Sequence, residues 1–383
     1  MQNMRKKIAV IGSDAKMLVN FRGALIREFV NRGFEVYAFA ANFDASTSNR
    51  VTELGAYPVD YNLSRASLKP THDIAVFLKL TRLLRKIKPD IVFSYTIKPV
   101  IYGTLAASIL RTPKRYALIT GLGYAFNESQ GNDQLKRKVA RVFATFLYRL
   151  ALRRASKVFF QNKDDLSEIV SAGIVKSDKA VLIGATGVDL EHFGVSSLPL
   201  KPVTFILVAR LLKEKGVPEF VEAARILKSK YRDIRFLLVG GLDPNPDSIS
   251  KDEVEGWVKD GIIDWVGQVN DVRPYIAQAS VFVLPSYYRE GIPRSTQEAM
   301  AMARPVITTD APGCRETVID GVNGFLVPHW ADCVFASYIG IGDIYNDRRR
   351  LARDFQTNSR RKRRKRILGD KIKKHEKTKN RRT

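Results

Sequence analysis

The chain has too few cysteines for a disulfide framework and no apolar run long enough to span a membrane. Its two cysteines, Cys314 and Cys333, do not have metal-ligand spacing, so we expect structural thiols in a reducing compartment. The longest stretch without Lys, Arg, Asp or Glu, residues 274–288, falls short of the roughly 20 apolar residues of a transmembrane helix. Behind the basic N-terminus, the apolar run Ile8–Ile11 is too short for a secretory signal. These absences predict a cytoplasmic protein.

Acidic residues are scarce in two of three parts of the chain, which carries a net charge of +25. Residues 1–190 hold 30 Lys+Arg against 15 Asp+Glu, residues 191–328 hold 16 against 18, and residues 329–383 hold 18 against 6. Because 45% of the residues are hydrophobic and 27% are charged, the chain is typical of globular proteins and not of disordered ones. The basic excess therefore belongs to the first half and to the tail.

The first half alternates short apolar strands with helices. The predicted strands are residues 7–12, 34–41, 90–95, 115–120 and 157–161, and the predicted helices are residues 18–31, 73–88 and 135–154. Apolar strands that alternate with helices favour a parallel sheet covered on both faces.

The pattern restarts after a Pro-containing linker, residues 196–202. The predicted strands are residues 203–209, 236–240, 281–285 and 305–309, and the predicted helices are residues 217–231 and 293–303. The fold class is therefore α/β, with two doubly wound Rossmann-like domains, residues 1–197 and 198–328, facing across a cleft. Ligands of such sheets bind outside the carboxyl ends of the strands.

Two glutamates eight residues apart carry the strongest motif, E-G-I-P-R-S-T-Q-E from Glu290 to Glu298. Glu290 is predicted in a loop after a strand, and Glu298 about two turns inside a helix. The helix entry is formed by Gly291, Ile292, Pro293 and Arg294. Pro is tolerated at a helix start, and the free N–H groups there suit a phosphate. The alternative interpretation is that Glu298 is a solvated helix residue and that Glu290 is a loop acid without a specific role.

Two cations form the second motif, because Arg210 and Lys215 bracket a loop directly after a predicted strand. Arg can grip a phosphate in a fork and Lys can do so as a point charge, although surface charges on a turn are the alternative. Gly12 gives a weaker signal at the end of the first strand, where it would let the backbone approach a ligand. Gly121 and Gly123 could form a similar loop.

In combination, these motifs resemble family 4 glycosyltransferases of the GT-B architecture, over about residues 7–328. Arg210 with Lys215 resembles the family's cation pair, Glu290 with Glu298 resembles its E-x₇-E, and residues 313–324 resemble its next loop. Two further stretches, residues 94–102 and 119–126, resemble a bacterial branch. That branch transfers N-acetylhexosamine-type sugars to undecaprenyl-diphosphate-linked acceptors for surface polysaccharide or glycan.

The resemblance implies a role for each matching residue. Arg210 and Lys215 would neutralise the nucleotide diphosphate and stabilise the leaving group, Glu298 would accept hydrogen bonds from the ribose hydroxyls, and Glu290 would contact the donor sugar. The backbone of residues 291–294, with Gly12, would complete the nucleotide-sugar site. The implied reaction retains anomeric configuration, with a UDP-linked N-acetylhexosamine as donor and a lipid-linked or saccharide acceptor. Another donor, such as a GDP-sugar or UDP-glucose, and a sugar-nucleotide 2-epimerase are the alternatives.

The chain departs from the family pattern at two points. Many relatives carry a His in the first domain's sugar-facing loop, whereas residues 120–124 here read T-G-L-G-Y. The chain also has no Asp-x-Asp, which weighs against a metal on the diphosphate because hard cations need clustered oxygens. We therefore expect a metal-independent enzyme without a cofactor.

The predicted helix at residues 135–154 is basic and amphipathic. Its apolar residues at helical spacing are Val139, Val142, Phe143, Phe146, Leu147 and Leu150. Such a helix can lie on an anionic bilayer, or it can be a core-facing helix with a solvated basic side. A lipid-linked acceptor favours the bilayer, so we expect peripheral association with the inner face of the cell membrane.

The basic tail, residues 329–383, interrupts the α/β pattern and is predicted to be disordered. The abrupt change in composition motivates the hypothesis of a frameshifted C-terminus, which resequencing would test. Arg/Lys blocks can also bind polyanions, so a polyanion binder is the non-enzymatic alternative. No recognition module accompanies the tail, and no specific nucleic-acid partner is expected.

Overall fold

A computed structural model of the chain describes residues 5–61, 63, 70–122, 134–199, 201–243 and 248–328. Contacts divide the chain into two compact units. Of the described residues, the first unit comprises those up to Thr186 with the short segment Arg289–Ile292, and the second comprises those from Gly187 to Tyr288 and from Pro293 onward. The division after Thr186 lies N-terminal to the boundary that the sequence predicts after residue 197. The tail, residues 329–383, lies outside the described residues.

The first unit is built on a seven-stranded parallel sheet with the order β3-β2-β1-β4-β5-β6-β7. Its strands are β1 Lys7–Ile11, β2 Glu35–Ala40, β3 Tyr57–Asp60, β4 Ile91–Tyr95, β5 Lys114–Ile119, β6 Lys157–Phe160 and β7 Ala180–Leu182. Its helices are α1 Ala15–Asn31, α2 Ala45–Glu53, α3 Pro70–Ile87, α4 Ile97–Ile109, α5 Gln134–Arg154 and α6 Lys163–Ser171. The order reverses between β1 and β4, so the loops after these two strands lie at the switch point of the sheet.

The second unit is built on a six-stranded parallel sheet with the order β10-β9-β8-β11-β12-β13. Its strands are β8 Val203–Val208, β9 Ile234–Val239, β10 Asp264–Gly267, β11 Val281–Leu284, β12 Val306–Thr309 and β13 Gly324–Val327. Its helices are α7 Val217–Lys230, α8 Lys251–Lys259, α9 Arg273–Gln278 and α10 Arg294–Ala301. Here the order reverses between β8 and β11.

Both sheets are buried on both faces. Successive residues of a strand point to opposite sides of the sheet, and residues on both sides join apolar clusters. In β8, Phe205 and Leu207 join one apolar cluster and Ile206 joins the other. In β1, Ile8 and Val10 face one cluster, whereas the alternate residues face another. The continuous apolar runs of the strands therefore follow from helices that cover each sheet on two sides.

The predicted alternation of strands and helices is confirmed in both units, with bounds that shift by a few residues. The sequence pattern missed the short strands β3, β7, β10 and β13 and the helices α2, α4, α6, α8 and α9. Of these elements, α4 lies buried among its neighbours. Seven of its residues are buried: Pro99, Val100, Ile101, Gly103, Thr104, Ala106 and Ala107. A helix that is apolar on nearly every side has no polar face, so it shows no amphipathic period.

A buried arginine of the second unit, Arg304, binds residues 196–197 of the segment that precedes β8. Arg304 is 1% exposed, and its Nε donates to the Ile276 carbonyl at 3.0 Å. Its Nη2 donates to the Ala277 carbonyl at 3.0 Å, the Ser197 carbonyl at 2.8 Å and the Ser196 hydroxyl at 2.7 Å. These bonds explain why residues 196–197, which the sequence assigns to a linker, belong to the second unit. Burial lowers the pKa of Arg304 to about 10, so the guanidinium remains charged at neutral pH.

Candidate active site

The carboxyl edge of the second sheet carries three of the predicted site residues. Arg210 follows β8, Lys215 ends a 3-10 turn just beyond it, and Glu298 lies in the second turn of α10. Strand β8 neighbours β11, and α10 packs against β11 and β12. The carboxyl ends of parallel strands meet at one edge, so these side chains lie along the switch point of this sheet.

Glu298 is a nearly buried carboxylate with one defined cation beside it. It is 9% exposed, and its Oε1 accepts from Arg294 Nε at 2.9 Å. Burial raises the pKa of Glu298, and the Arg294 guanidinium opposes that rise. Pro293 precedes α10 as its N-cap and provides no side-chain cap. Arg294 therefore holds one oxygen of the Glu298 carboxylate, while the start of α10 presents backbone N–H groups.

Arg210 pairs with an acid that the sequence analysis did not identify. Its Nη1 lies 2.6 Å from Asp243 Oδ2, and its side chain is 40% exposed. Asp243 follows β9, the neighbour of β8, so the sheet brings the two residues together. The pair fixes the guanidinium at the strand end while leaving part of it accessible.

Lys215 is held by the segment that follows β11. Its Nζ lies 4.7 Å from the centroid of the Tyr288 ring, within the range of a cation–π contact. The Glu214 carbonyl accepts from the Tyr288 amide at 3.0 Å, which ties the two loops together. Gly216 has a φ of +76°, and a Cβ there would overlap the Pro285 carbonyl. Only glycine therefore permits this close approach.

The loop after β12 is fixed to the same edge. The Thr309 hydroxyl donates to the Ser286 carbonyl, and Cys314, a buried free thiol, lies 3.8 Å from the same oxygen. Within the loop, Asn323 donates to the Thr317 carbonyl at 3.0 Å. Residues 313–324, which resemble the family's next loop, are thus ordered by hydrogen bonds to backbone groups.

Glu290 belongs to the first unit, with the other residues of the segment Arg289–Ile292. The Asn162 side-chain amide donates to the carbonyls of Glu290 and Gly291, each at 2.9 Å. Asn162 could not be identified from the sequence, because its local pattern indicates only a helix N-cap. Gly123 and Tyr124, the rest of the loop after β5 named above, lie outside the described residues.

Gly12 lies under a tyrosine at the switch point of the first sheet. A Cβ at Gly12 would overlap the Tyr95 hydroxyl, and the Tyr61 hydroxyl donates to the Gly12 carbonyl at 2.6 Å. Arg22 Cζ lies 4.8 Å from the Tyr95 ring centroid, and burial raises the pKa of Tyr95 above its usual range. In this structure the absence of a side chain at Gly12 accommodates Tyr95. Its contact with a nucleotide sugar remains a prediction.

Among the described residues, no group of three or more His, Cys, Asp or Glu side chains lies together as a metal site would require. No helix in the described part of the chain is long and apolar enough to cross a bilayer.

Two open parallel sheets, each with its functional loops at the carboxyl edge, define the GT-B class. In fold, the chain matches sucrose-phosphate synthase from Thermosynechococcus elongatus with a TM-score of 0.72 at 21% identity, over 92% of this chain and 94% of that chain. The family described as "Glycosyl transferase 4-like" matches residues 7–162, and "Glycosyl transferases group 1" matches residues 202–339. The chain belongs to the family 4 glycosyltransferases and is a transferase.

Two curated relatives resemble the chain over most of its length. One is the N,N'-diacetylbacillosaminyl-diphospho-undecaprenol α-1,3-N-acetylgalactosaminyltransferase of Campylobacter jejuni, 30% identical over 83% of this chain and 84% of the relative. The other is the UDP-Gal:α-D-GlcNAc-diphosphoundecaprenol α-1,3-galactosyltransferase of Escherichia coli, 26% identical over 67% of this chain and 66% of the relative. The predicted family and the predicted bacterial branch are both confirmed.

Proposed function

We propose that the protein transfers an N-acetylhexosamine from a UDP-sugar to an undecaprenyl-diphosphate-linked saccharide, with retention of anomeric configuration. The observation that carries the proposal is the carboxyl edge of the second sheet, which holds two cations and a nearly buried carboxylate. Both curated relatives carry undecaprenyl-linked acceptors in their names, and one also carries UDP. The α-1,3 linkage in both names supports an α-linked product.

The proposed chemistry requires charge stabilisation and no metal. Arg210 and Lys215 bind the diphosphate, and Glu298 accepts hydrogen bonds from the ribose hydroxyls. As the bond between the anomeric carbon and the phosphate oxygen breaks, the acceptor hydroxyl oxygen attacks the same face of the sugar. The departing phosphate takes the acceptor's proton, and the two cations stabilise its growing negative charge. Glu290 contacts the donor sugar.

Calorimetric titration with UDP, GDP and UDP-sugars tests the donor site. We expect UDP to bind, and R210A and E298A to weaken binding about 10- to 100-fold, since each loses a charge-assisted hydrogen bond. The matched controls are R225A and E255A, whose side chains are 46% and 55% exposed on the second unit. UDP affinity unchanged in both site variants would remove the assignment, and a preference for GDP would identify another donor class.

A transfer assay in EDTA tests the reaction. We expect a radiolabelled N-acetylhexosamine to move from the UDP-sugar to a synthetic saccharide-diphosphoundecaprenol, at the same rate with and without EDTA. Release of a free epimer without acceptor would instead support a 2-epimerase. A rate restored only by added divalent cations would contradict the metal-independent mechanism.

Association with an anionic membrane surface is part of the proposal, and the exposed side of α5 supports it. Tyr148, Ala151 and Leu152 are buried, whereas Val142 and Phe146 are 65% and 59% exposed. The next residue of this exposed row, Leu150, is 40% exposed. Arg149, Arg153 and Arg154 are exposed on the same helix. A row of apolar side chains spaced by four residues among arginines suits an anionic bilayer.

Sedimentation with vesicles tests this surface. We expect the protein to bind phosphatidylglycerol vesicles more tightly than phosphatidylcholine vesicles, and the variant V142S/F146S to lose most of that binding. The control V258S removes an apolar side chain that is 42% exposed on the second unit. Equal loss in the control, or binding that is insensitive to lipid charge, would contradict a role for α5.

A further inference from the structure

A buried amide connects the start of α6 to the peptide that carries Glu290. Asn162 is 0% exposed, and its Oδ1 accepts from the Asp165 amide at 2.7 Å, as the N-cap of α6. Its Nδ2 donates to the carbonyls of Glu290 and Gly291 and lies 3.0 Å from Asp165 Oδ2. One carboxamide thereby uses its acceptor on the helix and its donors on the Glu290 segment.

An ion-pair network holds the same segment one residue earlier. Arg289 Nη2 lies 3.1 Å from Asp165 Oδ1, and its Nη1 lies 2.6 Å from Glu168 Oε2. Asp165 is 1% exposed, so its carboxylate depends on these partners for the solvation that water would otherwise give. The two acids lie one turn apart on α6, so the first two turns of this helix bind the arginine from two points.

Two glycines allow the segment to pack closely. Gly121 has a φ of +103°, and a Cβ there would overlap the Arg289 carbonyl. A Cβ at Gly291 would overlap the Gln161 side-chain oxygen and approach Thr120. The loop after β5 and the residues after β6 therefore fit closely around the segment, and only glycine fits at either contact.

We infer that Asn162 and Asp165 are positioning residues for Glu290 in sugar transfer. The inference rests on the proposed function, in which Glu290 contacts the donor sugar. The buried amide fixes the carbonyls of two successive residues, Glu290 and Gly291, and the ion pair fixes the preceding residue. A carboxylate on a segment held this way keeps one orientation toward the sugar, which lowers the cost of reaching the transition state.

The test uses N162D, which keeps the cap and removes the donor. Asp is as good an N-cap as Asn, so one carboxylate oxygen can still cap α6, but the oxygen that replaces Nδ2 then faces the carbonyls of Glu290 and Gly291 and the carboxylate of Asp165. The matched control is K163A, an exposed side chain in the same first turn. We expect N162D to lower kcat about 100-fold, the scale of a displacement of about 1 Å in a reacting group. UDP affinity should be unchanged, because Arg210, Lys215 and Glu298 lie in the second unit.

A double-mutant cycle separates positioning from a merely structural role. If Asn162 acts through Glu290, N162D should cost little further activity in an E290A background. Additive losses, or loss of UDP affinity together with a lowered Tm in N162D alone, would overturn the inference. A wild-type kcat in N162D would also overturn it.

Hydrogen exchange tests the inference independently of activity. Mass spectrometry of the full-length protein should show faster amide exchange over residues 289–292 in N162D than in K163A. If the wild type binds no UDP but this difference is seen, the proposed function is wrong, whereas the inference that Asn162 fixes the Glu290 segment is still supported. Identical exchange in both variants would overturn the inference that Asn162 fixes the Glu290 segment, whatever group the enzyme transfers.

Discussion

Arg304 offers a direct measure of how strongly one buried side chain stabilises the second unit. In R304L, four carbonyls and the Ser196 hydroxyl lose a charged donor at once. A hydrogen bond to a charged group is worth about 1.5–3 kcal/mol, and the contributions do not add because one side chain makes them all. Since leucine leaves the carbonyls buried and unsatisfied, we expect the free energy of unfolding to fall by about 3–5 kcal/mol.

Urea denaturation followed by tryptophan fluorescence provides the assay. Trp257 and Trp265 lie in the second unit, so their emission reports its unfolding. The matched control is R225L, whose arginine is 46% exposed and lies 3.9 Å from Glu222. Its loss should change the unfolding free energy by less than about 0.5 kcal/mol.

Unfolding of R304L at the wild-type urea midpoint with an unchanged m-value would refute this role of Arg304. That result would mean that water or a rearranged loop satisfies the carbonyls. A fall confined to the m-value would point to a change in the denatured state instead.

Two further predictions concern the first unit. G12A should destabilise it by about 1–3 kcal/mol, because the new methyl group displaces the buried Tyr95 hydroxyl. Proteolysis of the first unit at increasing temperature measures this loss of stability. Resistance to proteolysis equal to that of the wild type would contradict the close packing of Tyr95 on Gly12. Burial raises the pKa of Asp165 to about 6 despite Arg289, and Glu168 adds to the rise. The stability linked to protonated Asp165 is therefore fully present below pH 4 and is lost as the pH rises through about 6. The total loss in the free energy of unfolding approaches about 3 kcal/mol. Across that range D165N should flatten the pH dependence of unfolding, whereas an unchanged profile would contradict it.

The two-domain α/β architecture could be predicted because its determinants are local. Runs such as Val281–Leu284 are apolar at every position, and such short strands between helices favour a parallel sheet. The strand ends then place Arg210 and Lys215 at a functional edge without any knowledge of distances. The helix α4 could not be predicted, because burial on nearly all sides removes the polar face that reveals a helix.

The partners of the site residues required the tertiary structure. Asp243 reaches Arg210 only because β9 and β8 are neighbours in the sheet. The pair Arg294–Glu298 could have been anticipated, since residues four apart on a helix are neighbours. Gly12 shows the opposite case, because its role in accommodating Tyr95 depends on a strand far along the chain.

The sequence by itself determined the fold class and the residue types of the candidate site, because periodicity and motif spacing are local properties of the chain. Its motifs indicated the family through their resemblance to those of known members. The tertiary structure alone decided that Glu290 lies with the first unit and Glu298 with the second, although they are only eight positions apart in sequence. The physical reason is that Asn162 and Asp165 bind the segment Arg289–Ile292 through hydrogen bonds and an ion pair across more than 120 positions of sequence. Contacts at such separation leave no local pattern.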